Sequence, residues 1–270
     1  LGTRVVEDIT VQDLAEWLDD NFKKDPYIKH RRTLGELFTF AITKGYRKDN
    51  PAQVTFAKTK VKKDRQRLKM SEFKAIHEIA PDWLKIAMEL SLITLQGRYE
   101  IANMKFEDVR DGHLYIVREK TKKNEWGHLK LTVNTTIEGI LKRSRQSGLA
   151  SPYVVHHRPK RKSESKTRTH WTQLSLDAVS REFTDLLNDL DIFKKVPEKN
   201  RPTFHEIRAL GSWAYKKAGY NNKGYVQPLM AHADEKMTEE YQKGHEQVWL
   251  DVNADLTLDT AYEAASKTTV

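Results

Sequence analysis

The sequence predicts a mainly α-helical protein with one small antiparallel β-sheet, an α+β unit preceded by a small all-α unit. Apolar residues recur at helical spacing through most of the chain. Strand-like alternation is confined to one stretch: Leu114, Ile116 and Val117, then Leu129, Leu131 and Val133, with the polar turn Lys120-Thr121-Lys122-Lys123-Asn124 between them. A basic run without apolar periodicity over residues 58–70 divides the chain, and 270 residues suit one large or two modest domains.

The elements follow in order. Thr10 is a good N-cap before Leu14, Trp17 and Leu18. A second helix is expected from Ile28 to about Tyr46, its apolar members including Leu34, Leu37, Phe38, Phe40 and Ala41, with Asn50-Pro51 stopping it. Residues 1–57 therefore read as a small helical domain. Residues 58–70 read as a basic linker carrying Lys58, Lys60, Lys62, Lys63, Arg65, Arg67 and Lys69. Such a run is usually a solvated face; lying along DNA it would contact phosphates without regard to sequence. The second domain, residues 71–245, opens with a helix capped by Ser71 and another after Pro81 carrying Leu84, Ile86, Ala87, Leu90 and Leu92. After the hairpin come a helix from about Thr136 to Arg145 and a short strand at Tyr153-Val154-Val155. Next is a basic loop with Arg158, Lys160, Arg161 and Lys162, the other candidate DNA contacts. Helices are expected over Leu176–Leu190, His205–Ala218, near Tyr225–Ala231 and near Lys236–Gln242, with a tail over 246–270.

Hydrophobic residues, at 38%, suffice for a core, and a net charge of +9 favours a polyanionic partner, most simply nucleic acid. With no cysteine, disulfides, cysteine-ligated zinc and thiol catalysis are excluded, and a reducing cytoplasm is the natural setting. No apolar run approaches the roughly 20 residues needed to cross a bilayer. The start at Leu1-Gly2-Thr3-Arg4 leads us to expect a fragment or processed chain.

Three segments could carry chemistry. In Thr203-Phe204-His205-Glu206-Ile207-Arg208, His205 and Arg208 are three residues apart and share a helix face. Arg can grip two non-bridging phosphate oxygens while His adds a hydrogen bond or moves a proton; alone, His-x-x-Arg arises often by chance. In Leu229-Met230-Ala231-His232, followed by Glu239-Glu240-Tyr241, His232 could be a cap and Tyr241 a packing residue. A Tyr hydroxyl, with an ordinary pKa of about 10, needs neighbouring cations or a base to act as a nucleophile. In Leu95-Gln96-Gly97-Arg98-Tyr99-Glu100, Gly97 suggests a break and places Arg98 at the start of the next helix.

Together these residues resemble the tyrosine recombinase (phage integrase) family. Its pattern is an Arg after an apolar helix, a Lys in a β-hairpin, His-x-x-Arg, a second His, and a Tyr nine residues beyond it. The ordered set Arg98, Lys120, His205, Arg208, His232 and Tyr241 matches, with nine residues from His232 to Tyr241. Asn103-Met104-Lys105-Phe106 and Asp111-Gly112-His113-Leu114-Tyr115 also look like the stretch after the family's first Arg. The resemblance covers about residues 70–245, and residues 1–57 resemble the core-binding domain. The family places its first Arg three residues before an acidic residue; relative to Glu100 that place holds Gly97, and Arg98 comes one residue late. The expectation is that Gly97 permits an altered turn through which Arg98 still enters the site. Lys122 and Lys123 compete with Lys120.

The resemblance implies a lambda-type integrase that integrates or excises a mobile element. Tyr241 would attack a DNA phosphate and form a 3′-phosphotyrosine, and the 5′ oxygen would leave. Arg98 and Arg208 would hold the non-bridging oxygens, Lys120 would be the general acid, His205 a general acid/base, and His232 a hydrogen-bonding partner. No cofactor is implied, neither ATP nor metal. The implied partners are double-stranded attachment-site DNA, a homo-tetramer on DNA from a monomer free in solution, and accessory DNA-bending proteins, with no membrane. A type IB topoisomerase or telomere resolvase shares the chemistry. A non-catalytic DNA-binding protein on the same fold would hold DNA without cutting it. A metal-dependent nuclease would need carboxylates clustered at ligand spacing near a His, and the sequence shows no such cluster.

Overall fold

The computed structural model describes residues 2–59, 65–159 and 168–245, and divides into two units, residues 1–64 and 65–270. Among the described residues no helix is long and apolar enough to cross a membrane.

In the first unit, α1 (Val11–Asn21) starts at a reciprocal cap: the Asp13 amide donates to Thr10 Oγ1 at 3.1 Å, and the Thr10 amide donates to Asp13 Oδ2 at 2.9 Å. Helix α2 (Asp25–Thr43) begins three residues before the expected Ile28, because Pro26 at its first turn is pre-set for helix. Ile9, Leu14, Phe38 and Ala52 form a small core. Leu37 and Phe40, expected among the apolar members of α2, are exposed. Asn50-Pro51 does not simply stop the chain. Asn50 Oδ1 accepts from the Ala52 amide at 3.2 Å and opens a short helix, α3 (Pro51–Val54).

The second unit holds α4 (Met70–Ile79), α5 (Asp82–Thr94) and α6 (Arg98–Asn103), then β1 (Val109–Arg110), β2 (His113–Val117) and β3 (His128–Thr132). It continues with α7 (Thr135–Arg145), α8 (Leu176–Asp189), α9 (Glu206–Lys217), α10 (Gln227–Leu229) and α11 (Glu235–Gln242). The sheet order is β1-β2-β3, antiparallel throughout, with Leu114 opposite Leu131 and Ile116 opposite Leu129. Leu114 and Ile116 point into the main core with Leu84, Leu90, Phe183, Phe204, Ile207 and Leu210. Helix α4 begins at Met70 rather than being capped by Ser71; the Lys69 amide is held by Glu72 Oε2 at 2.8 Å. Tyr153-Val154-Val155 is not a strand. It is a buried connection making one bridge, Lys105 to Tyr153, and its apolar composition reflects burial rather than pairing.

Candidate active site

One close helix contact and two left-handed turns build the site. Gly211 on α9 lies so near α5 that a Cβ there would fall 2.2 Å from Leu92 O, so only glycine lets the two helices meet. Helix α5 then ends in a left-handed turn at Leu95 (φ 56°), a conformation costing a non-glycine residue about 1 kcal/mol or more. That turn aims Leu95 O at Arg208. A second left-handed residue, Ala231 (φ 47°), follows Met230, whose carbonyl points the same way. Arg208, 1% exposed, donates Nη1 to Leu95 O and Nη2 to Met230 O at 2.6 Å.

Tyr241 is carried in by α11, which is N-capped by Asp234. Its hydroxyl lies 2.9 Å from His205 Nε2, and the two rings meet edge to face. The His232 ring lies 5.2 Å from the Tyr241 ring, and the Arg208 guanidinium 5.8 Å from it. Arg208 Nη2 lies 3.3 Å from His232 Nε2. Arginine can only donate, so Nε2 accepts and the proton sits on Nδ1, which faces Thr238 Oγ1 at 3.1 Å.

Positive charge dominates. Burial, then Arg208 and Arg118, pull the His232 pKa down to about 4. His205 keeps an exposed edge, yet its ring is packed closely enough that desolvation, followed by Arg208, Arg118, Arg67 and Arg98, pulls it to about 4 as well. Both imidazoles are therefore neutral at neutral pH, and in the tautomer protonated on Nδ1 His205 can accept the Tyr241 proton at Nε2. Burial and then Arg118 lower the Arg208 pKa, while Tyr241 and Glu100 oppose that shift; a guanidinium remains charged at neutral pH regardless. Neutral bases beside fixed cations suit a nucleophilic tyrosine attacking an anionic phosphate. Among the described residues no three His, Asp or Glu side chains gather as a metal site.

Of the residues singled out from the sequence, His205, Arg208, His232 and Tyr241 come together. Arg98 does not join them. It donates to Ser180 Oγ at 2.8 Å and lies 3.9 Å from Asp177 Oδ1, both on α8, and acts on His205 only as the weakest of four arginines. Arg98 is the first residue of α6, and its side chain is held against α8 by Ser180 and Asp177. Nor does Gly97 adopt an unusual turn: its φ of −80° and ψ of 172° are ordinary extended backbone. Lys120 and Lys123 stand exposed on the hairpin connection, and Lys122 pairs with Glu119 at 2.6 Å. No hydrogen bond or ion pair among the described residues links Lys120 to the Tyr241 group.

The basic run is partly absorbed into the folded units. Lys58 pairs with Asp19 at 2.5 Å and lies over the Tyr27 ring. Arg67 donates to Glu240 O at 2.7 Å, Lys243 O at 3.1 Å and Glu206 Oε2 at 3.1 Å, tying the end of α11 to α9. Arg65, Lys69 and Arg158 are exposed. Lys60, Lys62, Lys63, Lys160, Arg161, Lys162 and the 246–270 tail lie outside the described residues. Sequence reasoning missed Arg118, Thr238 and the Arg67 tie; only Arg118 carried a signal, as a cation inside the hairpin.

The chain belongs to the phage integrase family, whose match spans residues 66–247. It is 30% identical over 236 residues to the integrase of Escherichia phage HK022, covering 83% of this chain and 60% of that relative. The chain thus spans less than two thirds of that relative's length. Its fold is similar to a lambda integrase dimer bound to a COC′ core site, with TM-score 0.71 and 27% identity over 93% of this chain and 69% of that one. A lambda integrase tetramer bound to a Holliday junction gives TM-score 0.71 and 26% identity over 91% and 68% of the two chains.

Proposed function

We propose that this chain cuts and rejoins DNA as the strand-transferring part of a site-specific recombinase, with Tyr241 as nucleophile. The observation that carries the reading is the Tyr241 hydroxyl held 2.9 Å from a neutral His205, beside the buried guanidinium of Arg208. Tyr241 Oη bonds to the scissile phosphorus and its proton passes to His205. The bond from phosphorus to the 5′ oxygen breaks, and Lys120 protonates that oxygen. Arg208 holds a non-bridging oxygen and offsets charge that grows in the transition state. An anionic phosphodiester there offsets the arginines' field and raises the affinity of His205 and His232 for protons, so His232 can donate to the phosphate. One phosphodiester replaces another, so the cycle needs no ATP and no metal. Attack by a 5′ hydroxyl from a second duplex reverses the step and exchanges strands.

The partners follow from the relatives. Lambda integrase binds core-site DNA as a dimer and a Holliday junction as a tetramer, which supports a DNA partner and oligomerisation on DNA; attachment sites, a homo-tetramer assembled from monomers and accessory DNA-bending proteins complete the proposal. Residues 1–57 act as the core-binding domain, with residues 58–70 joining it to the strand-transfer domain at 71–245, and exposed Arg65, Lys69 and Arg158 contact phosphates. The site of action is the DNA of a bacterial host cell. The test is strand exchange in chelator without ATP, between two duplexes of different length that carry sequence flanking the native gene. Recombinant lengths are expected. Relaxation of a supercoiled plasmid without any exchange would point to a topoisomerase instead.

A further inference from the structure

We infer that Arg118, delivered from the β-hairpin, is the second guanidinium gripping the scissile phosphate, in the role the family pattern suggested for Arg98. The inference rests on the recombinase reading above.

Arg118 directly follows β2, and its amide donates to Gly127 O at 2.8 Å, so its backbone is fixed at the mouth of the hairpin. Its side chain is 15% exposed and turns inward rather than toward the polar hairpin connection. Nη1 donates to Met230 O at 2.5 Å, the same carbonyl that accepts from Arg208 Nη2 at 2.6 Å. Two guanidinium groups thus converge on one backbone oxygen beside the Tyr241 ring. Burying like charges side by side is unfavourable unless an anion joins them. The carboxylate that faces Arg118 is Glu100, whose Oε1 lies 3.6 Å from Arg118 Nε, beyond hydrogen-bonding distance. That Nε is buried without a hydrogen-bond acceptor among the described residues. Glu100 offsets only one of the two guanidinium charges, so the pair keeps surplus positive charge.

Residue 97 explains why the cation comes from the hairpin. A Cβ on Gly97 would lie 3.1 Å from Glu100 Oε2, so the Glu100 carboxylate lies against the side-chain position at 97. With no side chain there, a guanidinium can enter from the opposite wall, and Arg118 is the one that reaches Glu100. Arg98 is already engaged by Ser180 and Asp177. The field of Arg118 also bears on His205, His232 and Arg208, all three neighbours of Tyr241.

The test is single-turnover formation of the covalent protein–DNA adduct, using the full chain on a nicked duplex built from sequence flanking the native gene. Arg118→Ala should slow adduct formation about 100-fold or more, the usual effect of removing a donor aimed at developing charge. Arg118→Lys should recover part of the rate, and Arg98→Ala should stay within a few-fold of wild type. Rates are compared at saturating duplex, so that a weaker phosphate contact in a variant does not limit them. A second duplex carries a methyl group in place of one non-bridging oxygen at the scissile phosphate, which removes its charge. On it the Arg118→Ala deficit should shrink to about tenfold or less, because less charge needs neutralising; a merely structural defect would be equal on both duplexes. An Arg118→Ala rate equal to wild type, an equal deficit on both duplexes, or the main loss falling on Arg98→Ala would overturn the inference alone. No adduct from wild type would overturn the recombinase reading and this inference with it.

Discussion

Arg67→Met tests how the tyrosine is held in place. The substitution keeps most of the apolar stem and removes three charge-assisted hydrogen bonds, to Glu240 O, Lys243 O and Glu206 Oε2. Each such bond contributes about 1.5–3 kcal/mol. Water can replace part of this, since the Arg67 side chain is 25% exposed, but the Glu206 side chain is only 11% exposed and would lose its cation. A net loss of about 2–4 kcal/mol is expected. It should fall on α11, because eight residues make a marginal helix alone and two of the three bonds hold its C-terminal end. If the loss acts wholly on docking of α11, adduct formation drops roughly thirty- to several-hundred-fold, at tenfold per 1.4 kcal/mol. Single-turnover trapping would read that drop, and hydrogen exchange over residues 235–243 would show faster opening. Adding Glu206→Gln should restore thermal stability by removing the stranded charge, without restoring the rate. Wild-type adduct formation and unchanged exchange in Arg67→Met would refute the argument that this arginine positions Tyr241.

Two further predictions concern the histidines and a third the helix contact. Thr238→Val removes the acceptor that fixes the His232 proton on Nδ1; a rate loss of about tenfold and a stability loss of about 1–3 kcal/mol are expected, measured by trapping and urea unfolding. His205 and His232 both hold protons more weakly when folded, at about 4, than the ordinary 6.5. Unfolding therefore takes up protons in that window, so stability is full above pH 6.5 and falls as pH drops toward 4. Buried His232 carries up to about 3 kcal/mol of this and exposed His205 less; urea unfolding at pH 7 and pH 5 checks it, with His232→Gln flattening the difference. Gly211→Ala forces a Cβ against Leu92 O and should lower stability by about 1–3 kcal/mol, measured by thermal unfolding.

The helices and the hairpin were legible because their periodicity is local, and so was the group around Tyr241. His205 with Arg208, and His232 with Tyr241, are each bound by short spacings within one or two adjacent elements. What escaped depends on packing between distant parts of the chain. Arg118 meets Met230 across 112 residues, and Arg67 meets Glu240 across 173; no local pattern announces either. The partners of Arg98, Ser180 and Asp177, lie about 80 residues further along the chain, so its one-residue offset could not be judged from the string. In the same way, Leu37 and Phe40 are apolar in the string but exposed in the fold.

Identifying the residue bonded to DNA tests the central claim most directly. The nicked duplex would be incubated with the chain in chelator and without ATP, the SDS-stable adduct digested, and the nucleotide-bearing peptide sequenced by mass spectrometry, with Tyr241→Phe run alongside. The account expects a single 3′-phosphoryl linkage on Tyr241 and no adduct from the variant. An adduct on another residue, or one that survives Tyr241→Phe, would contradict it.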